Sequence, residues 1–162
     1  MDDLSLYVLD ITMNSVRAGA TEISIELIEH EEWLDFSVSD NGCGMTEEQL
    51  AKLENPFFTT RKTRKVGLGI PFLKMLAEMT GGYVKITSVH ETVSNDHGTK
   101  TMARFGRNHI DFIPLGDIVE TIKTLIQGKH YYTLFARGFV LYSSQYLFLN
   151  NKVTENKCAD PQ

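Results

Sequence analysis

Apolar side chains recur every three or four positions from Leu4 onward, so that Leu4, Tyr7, Val8, Ile11, Ser15 and Ala18 fall on one face of a helix. Asp2 and Asp3 can cap it and Gly19 can stop it. The other side carries Leu6, Leu9, Met13 and Val16, more apolar surface than a helix on a sheet with one wet face requires, so another element is expected to cover it. The period then changes to two. Ile23, Ile25 and Leu27 alternate with Glu22, Ser24 and Glu26, and beyond a polar turn at Glu29 to Glu32, Leu34, Phe36 and Val38 alternate with Asp35, Ser37 and Ser39. This alternation predicts two antiparallel strands with one buried face.

Thr46-x-x-Gln49 reads as a capping box opening a short helix through about Leu53, and a second helix runs from about Leu68 to Met79 before Gly81 and Gly82. A lid-like loop lies between them. Strands follow at about Tyr83 to Val89 and Gly98 to Phe105, separated by the polar segment His90 to His97. After Pro114, Leu115, Ile118, Val119, Ile122, Leu125 and Ile126 mark an amphipathic helix ending at Gly128, and aromatic-rich strands are expected between Tyr131 and Phe148. The chain is expected to divide into a domain over 1–107, a helix-plus-strand extension over 108–150 and a disordered tail over 151–162. With no internal repeat, the order α-β-β-α-α-β-β favours an α+β class over a regular doubly wound fold.

Composition narrows the function classes. Hydrophobic residues make up 42% and charged residues 23% of the 162, as in ordinary globular domains. A net charge of −5 argues against a protein that coats nucleic acid, and DNA is not an expected partner. No apolar run approaches the roughly 18 residues of a membrane span, and Met-Asp-Asp-Leu does not open a signal peptide, so a cytoplasmic location is expected. Cys43 and Cys158 form no Cys-x-x-Cys pair and suggest neither zinc nor a disulfide framework.

The glycines suggest phosphate binding, but no G-x-x-x-x-G-K-[ST] is present and no G-x-G-x-x-G opens the first strand-helix unit, which disfavours P-loop and Rossmann sites. Four other segments stand in order: Asp10-Ile-Thr-Met-Asn14 on the first helix, Asp40-Asn-Gly-Cys-Gly44 after a strand, Val66-Gly-Leu-Gly69 opening a helix, and Gly98-Thr99 starting a strand. They resemble the N box, G1 box, G2 box and terminal Gly-Thr of the GHKL ATPases over roughly residues 4 to 106. Asn14-Ser-Val-Arg-Ala-Gly-Ala-Thr21 and Asp40 to Met45 look like MutL, whereas Pro56-Phe-Phe-Thr-Thr-Arg61 followed by Val66-Gly-Leu-Gly-Ile-Pro71 looks like a histidine-kinase F box and lid. The resemblance implies a two-layer α/β sandwich, the Bergerat fold, with a mixed, mostly antiparallel sheet and helices on one face.

It also implies ATP and Mg2+ as ligands. Asn14 would ligate the metal, and Asp10, four residues earlier on the same helix face, is the candidate general base. Many hydrolysing members carry Glu where this chain has Asp10. Asp40 would accept from the adenine amino group with Thr99 assisting through water, while Gly42 and Gly44 let backbone approach the base beside Met45. Asp-Asn-Gly by itself is more often a hairpin turn than a binding element. Gly67, Leu68 and Gly69 would seat phosphates at a helix start. Thr60 and Arg61 belong to the lid, where Arg61, Lys62, Arg64 and Lys65 either contact phosphate or stay solvated. Phe57 and Phe58 seat that loop.

No phosphoacceptor histidine on a pair of long helices is legible; His90 and His109 fall in loops. The expected activity is therefore an ATPase or phosphotransferase that works with a protein partner or a phosphoacceptor on another chain, with homodimerisation open. A non-hydrolysing ATP-dependent switch and a MutL-like DNA-repair ATPase are the alternatives.

Overall fold

In the computed structural model, which describes residues 3–54, 69–127, 133–139 and 151–155, the predicted helical face becomes α1, Leu4–Arg17. Asp3 caps it, its carboxylate accepting from the Leu6 amide at 3.2 Å. Leu4, Tyr7, Val8 and Ile11 are buried against the sheet, as the spacing requires. Burial of each such large apolar side chain contributes about 1.5–3 kcal/mol.

The alternating segments form β1 (Glu22–Glu29) and β2 (Trp33–Asp40), antiparallel in a register that pairs Ile25 with Val38 and Leu27 with Phe36. One face of both strands is therefore apolar and faces the helices. Thr46 and Gln49 make the reciprocal capping box, Thr46 N to Gln49 Oε1 at 2.9 Å and Gln49 N to Thr46 Oγ1 at 3.2 Å, and α2 runs over Glu47–Glu54. Then α3 (Gly69–Met79) packs Leu73 and Ala77 into the core. It leads into β3 (Tyr83–Val89), which pairs antiparallel with β4 (Gly98–Gly106).

The C-terminal part does not stand apart. Pro114 and Leu115 accept from the Leu4 and Ser5 amides at 2.9 Å, satisfying two of the donors that the first turn of α1 leaves open. From there α4 (Ile118–Gln127) lies along α1, with Ile118, Ile122 and Leu125 in the common core. On the side of α1 for which the sequence calls for a cover, Leu9, Met13 and Val16 are partly buried and Leu6 stays exposed. The helix starts at Ile118 rather than near Leu115, because Gly116 takes a positive φ of 74° and Asp117 accepts from the Glu120 amide at 2.9 Å. Next, β5 (Thr133–Phe139) pairs parallel with β1, and β6 (Asn151–Glu155) pairs antiparallel with β5. Residues 151–155 are thus a strand where the sequence suggests a disordered tail; backbone pairing at a sheet edge leaves little mark in a short polar segment.

The sheet order is β3-β4-β2-β1-β5-β6, antiparallel except between β1 and β5. With helices on its apolar face, this is the expected α+β two-layer sandwich. On the opposite face Arg104 forms a two-pronged ion pair with Asp35, both bonds 2.7 Å, between the rings of Trp33 and Tyr83. At one end of the sheet, Arg107 holds the β1-β2 turn through the largely buried Glu29 at 2.6 Å and the carbonyls of His30 and Glu31.

Candidate functional site

At the opposite end of the sheet the apolar rows give way to a polar one. The register places Ile23, Asp40, Thr99 and Ser88 side by side across β1, β2, β4 and β3, on the face that carries the helices. Asp40 Oδ1 accepts from the Gly42 amide at 2.9 Å and the Thr99 amide at 3.3 Å, and Oδ2 accepts from Ser15 Oγ of α1 at 2.5 Å. Two carboxylate oxygens offer about four acceptor positions. Three of those positions are taken, which leaves one on Oδ2. Ser88 Oγ and Thr99 Oγ1 are 2.7 Å apart, and Ser88 Oγ also accepts from the Met45 amide at 2.8 Å.

The turn after β2 is held from both sides. Cys43 N donates to Ala18 O at 2.9 Å, Glu91 N to Cys43 O at 2.8 Å, and His97 Nδ1 to Gly42 O at 2.5 Å. Gly44 has φ 70°, and a Cβ there would run into the Val89 carbonyl, so this position requires glycine on two counts. The result is a rigid wall facing α1. Between them opens a mainly apolar cleft: Ile11, Met45, Leu53 and Ile70 supply its greasy surface, and Asn14, Asp40 and Thr99 its polar points.

Asp10 and Asn14 stand one turn apart on α1. The Asp10 carboxylate lies against Gly69, the first residue of α3, where any side chain on Gly69 would collide with Oδ2. An anion at a helix start is electrostatically favoured. Below Asp10, Tyr7 is buried, and burial together with the nearby carboxylate pushes its phenol above the ordinary value of 10.0. Asn14 Oδ1 accepts from Arg17 at 2.8 Å.

Residues 2–108 match the family described as histidine kinase-, DNA gyrase B-, and HSP90-like ATPase. The chain belongs to this GHKL family. Sensor histidine kinase ZraS of Escherichia coli O157:H7 is 30% identical over 90 residues, which are 54% of this chain and 19% of that kinase. Sensor protein kinase FleS of Pseudomonas aeruginosa is 41% identical over 64 residues, 38% of this chain and 16% of that kinase. The chain therefore spans less than a fifth of these relatives' length. Its fold is similar to the Aquifex aeolicus MutL ATPase domain complexed with ADP, at TM-score 0.55 and 14% identity over 85% of this chain and 60% of that one.

Within this GHKL domain the structure gathers Asn14, Asp40, Gly44, Met45 and Thr99 around the cleft, with Gly42 bonded to Asp40 behind it. Asp10 and Gly69 meet one another at the start of α3. Thr60, Arg61, Gly67 and Leu68 lie outside the described residues, as do Phe57 and Phe58. Among the described residues no helix is long and apolar enough to cross a membrane.

Ser15, Arg17, Ser88 and His97 were not among the candidates. A serine within the apolar face of the first helix was the one available signal for Ser15, since a polar group there needs a partner. Ser88 and His97 reach the site through strand register and loop packing, which no local pattern encodes.

Proposed function

We propose that this GHKL domain binds ATP with Mg2+ in the cleft between α1 and the Asp40 turn, and that it acts as an ATPase or phosphotransferase toward a protein partner. The observation that carries the reading is the Asp40 carboxylate at the cleft wall, held by Ser15, Gly42 and Thr99 with one acceptor position left over. That position suits the amino group of adenine, and the apolar walls suit the ring. Phosphates would extend toward Asn14 and the start of α3.

The donor set fits magnesium of the kind that rides on a nucleotide. Among the described residues no group of three or more His, Cys, Asp and Glu could hold a metal, and Asn14 supplies a neutral oxygen. Mg2+ commonly keeps water and substrate phosphates as its other ligands. When bound it would screen phosphate charge; Asn14 would hold it, and Asp10 would orient and accept a proton from the attacking hydroxyl or water.

Calorimetric titration with ATP and Mg2+ tests the site, using the Gly67→Ala plus Gly69→Ala variant alongside the wild type. Saturable binding that weakens in the variant supports the reading; no binding by folded wild-type protein defeats it. A non-hydrolysing switch is the second reading, favoured by Asp10 in place of the longer Glu and by its carboxylate resting against Gly69. Phosphate release that Asp10→Asn abolishes without loss of ATP binding favours the enzyme, and binding without turnover in either protein favours the switch.

A further inference from the structure

Asp40 and Thr99 are register partners on β2 and β4 and both line the cleft, but only Asp40 has a fixed polarity. A carboxylate accepts, whereas a hydroxyl can donate or accept, so what Thr99 offers depends on what holds it. Ser88 holds it. This residue stands opposite Thr99 on β3, with its Oγ 2.7 Å from Thr99 Oγ1, and is not among the described residues that line the cleft. The Met45 amide can only donate, so Ser88 Oγ accepts there at 2.8 Å and keeps one proton to place. Two acceptors lie near that proton. Thr99 Oγ1 at 2.7 Å is at the usual length of a hydroxyl-to-oxygen bond, and the Gly98 carbonyl at 3.2 Å is beyond it. The shorter bond takes the proton, and Thr99 keeps its own for the cleft. The result is one directed chain, from the Met45 amide to Ser88 to Thr99, whose successive bonds polarise one another in the same sense.

We propose that Ser88 is a positioning residue for base recognition, which fixes Thr99 as a donor toward the ligand. This rests on the proposed nucleotide site. Asp40 then presents an acceptor to the base and Thr99, one strand over, a donor. The edge of adenine is the complement, a donating 6-amino group next to an accepting ring nitrogen N1. A 6-oxopurine reverses both, with a carbonyl next to an N1–H. A water between Thr99 and the ring passes the polarity on, because it accepts from Thr99 and donates onward. Removing the Ser88 hydroxyl frees Thr99 Oγ1 to accept as well as donate, so the site gains a fit to N1–H that the wild type lacks. The net worth of one neutral hydrogen bond corresponds to about 3- to 10-fold in affinity.

The test measures Kd for ATP and ITP by calorimetry in Mg2+, on the wild type, Ser88→Ala and Ser88→Thr, with melting curves to confirm folding. Ser88→Ala is expected to lower the ratio of Kd for ITP to Kd for ATP by about 3- to 10-fold, and Ser88→Thr, which keeps the hydroxyl, to hold it near the wild-type value. Ser88→Cys carries the expectation of Ser88→Ala should the alanine variant not fold, since a thiol is a weak donor and acceptor. Equal weakening of ATP and ITP overturns the proposal, because Ser88 would then only brace the turn at Met45. An unchanged ratio with unchanged affinities overturns it too, as does a ratio that falls as far in Ser88→Thr as in Ser88→Ala. Wild type that binds neither nucleotide removes the nucleotide site, and wild type that binds both alike removes Asp40 as the reader of the base; this proposal falls with either.

Discussion

Replacing Asp40 with Asn exchanges one acceptor for one donor in an otherwise conserved shape. The Gly42 and Thr99 amides both point at Oδ1, so they hold the new amide with its oxygen in that place and its NH2 where Oδ2 stood. Ser15 Oγ can turn from donor to acceptor and keep its contact. All three charge-assisted bonds become neutral, at a combined cost of about 1–3 kcal/mol. For a chain of this size each kcal/mol lowers Tm by about 2–4 °C. Nucleotide selectivity changes more. On the proposed reading the spare position on Oδ2 in the wild type would accept from the adenine amino group and face the carbonyl of a 6-oxopurine unfavourably. In Asp40→Asn the NH2 opposes the amino group and suits the carbonyl. A hydrogen bond to a charged group is worth about 1.5–3 kcal/mol, so ATP affinity should fall about 10- to 150-fold while ITP affinity rises or holds. Calorimetric Kd values for ATP and ITP, measured on both proteins with melting curves in parallel, check this. Equal affinity for ATP in folded wild type and variant, with no discrimination from ITP in either, would refute Asp40 as the reader of the base.

Other substitutions probe the frame around the site. Gly44→Ala forces a side chain into a left-handed turn against the Val89 carbonyl, and should cost about 2–4 kcal/mol in denaturant unfolding together with most nucleotide affinity. Arg107→Ala removes the guanidinium that holds largely buried Glu29 and the turn carbonyls, so a loss of about 2–4 kcal/mol is expected with nucleotide affinity little changed, since the contact lies at the opposite end of the sheet. Arg107→Lys should recover only part of this, because an ammonium cannot reproduce the fork. The phenol of Tyr7 is raised by burial and by Asp10, so the fold favours its neutral form; the stability this contributes is present below the ordinary value of 10.0 and is lost as pH rises through the folded value. Tyr7→Phe should flatten that alkaline loss in urea unfolding measured at increasing pH, and an unchanged alkaline limb would discard the argument.

Much of this was legible because local period and site spacing agree. The two-residue alternation from Ile23 to Val38 gave β1 and β2, and the capping box at Thr46 gave the start of α2. Asp10, Asn14, Asp40 and Thr99 stand out as candidates because each belongs to a short segment of fixed order, and the fold brings Asn14, Asp40 and Thr99 to one cleft. What the pattern could not carry was pairing at a distance. Nothing local tells Ser88 that it will stand beside Thr99, or β5 that it will join β1 in parallel, since both follow from register and crossover. The polar strand β6 is the extreme case, defined by backbone pairing alone among its described features.

The placement of α4 changes how the C-terminal part should be regarded. The family match ends at residue 108, yet α4 contributes Ile118, Ile122 and Leu125 to the same core and the chain before it supplies carbonyls to the first turn of α1. That helix carries Asp10, Asn14 and Ser15, and through Ser15 it reaches Asp40. Loss of the α4 contacts would therefore loosen the packing that holds all three residues opposite the Asp40 turn. The residues beyond 108 are in this sense part of the frame that positions the site, since they hold the helix whose Asn14 and Ser15 line the cleft.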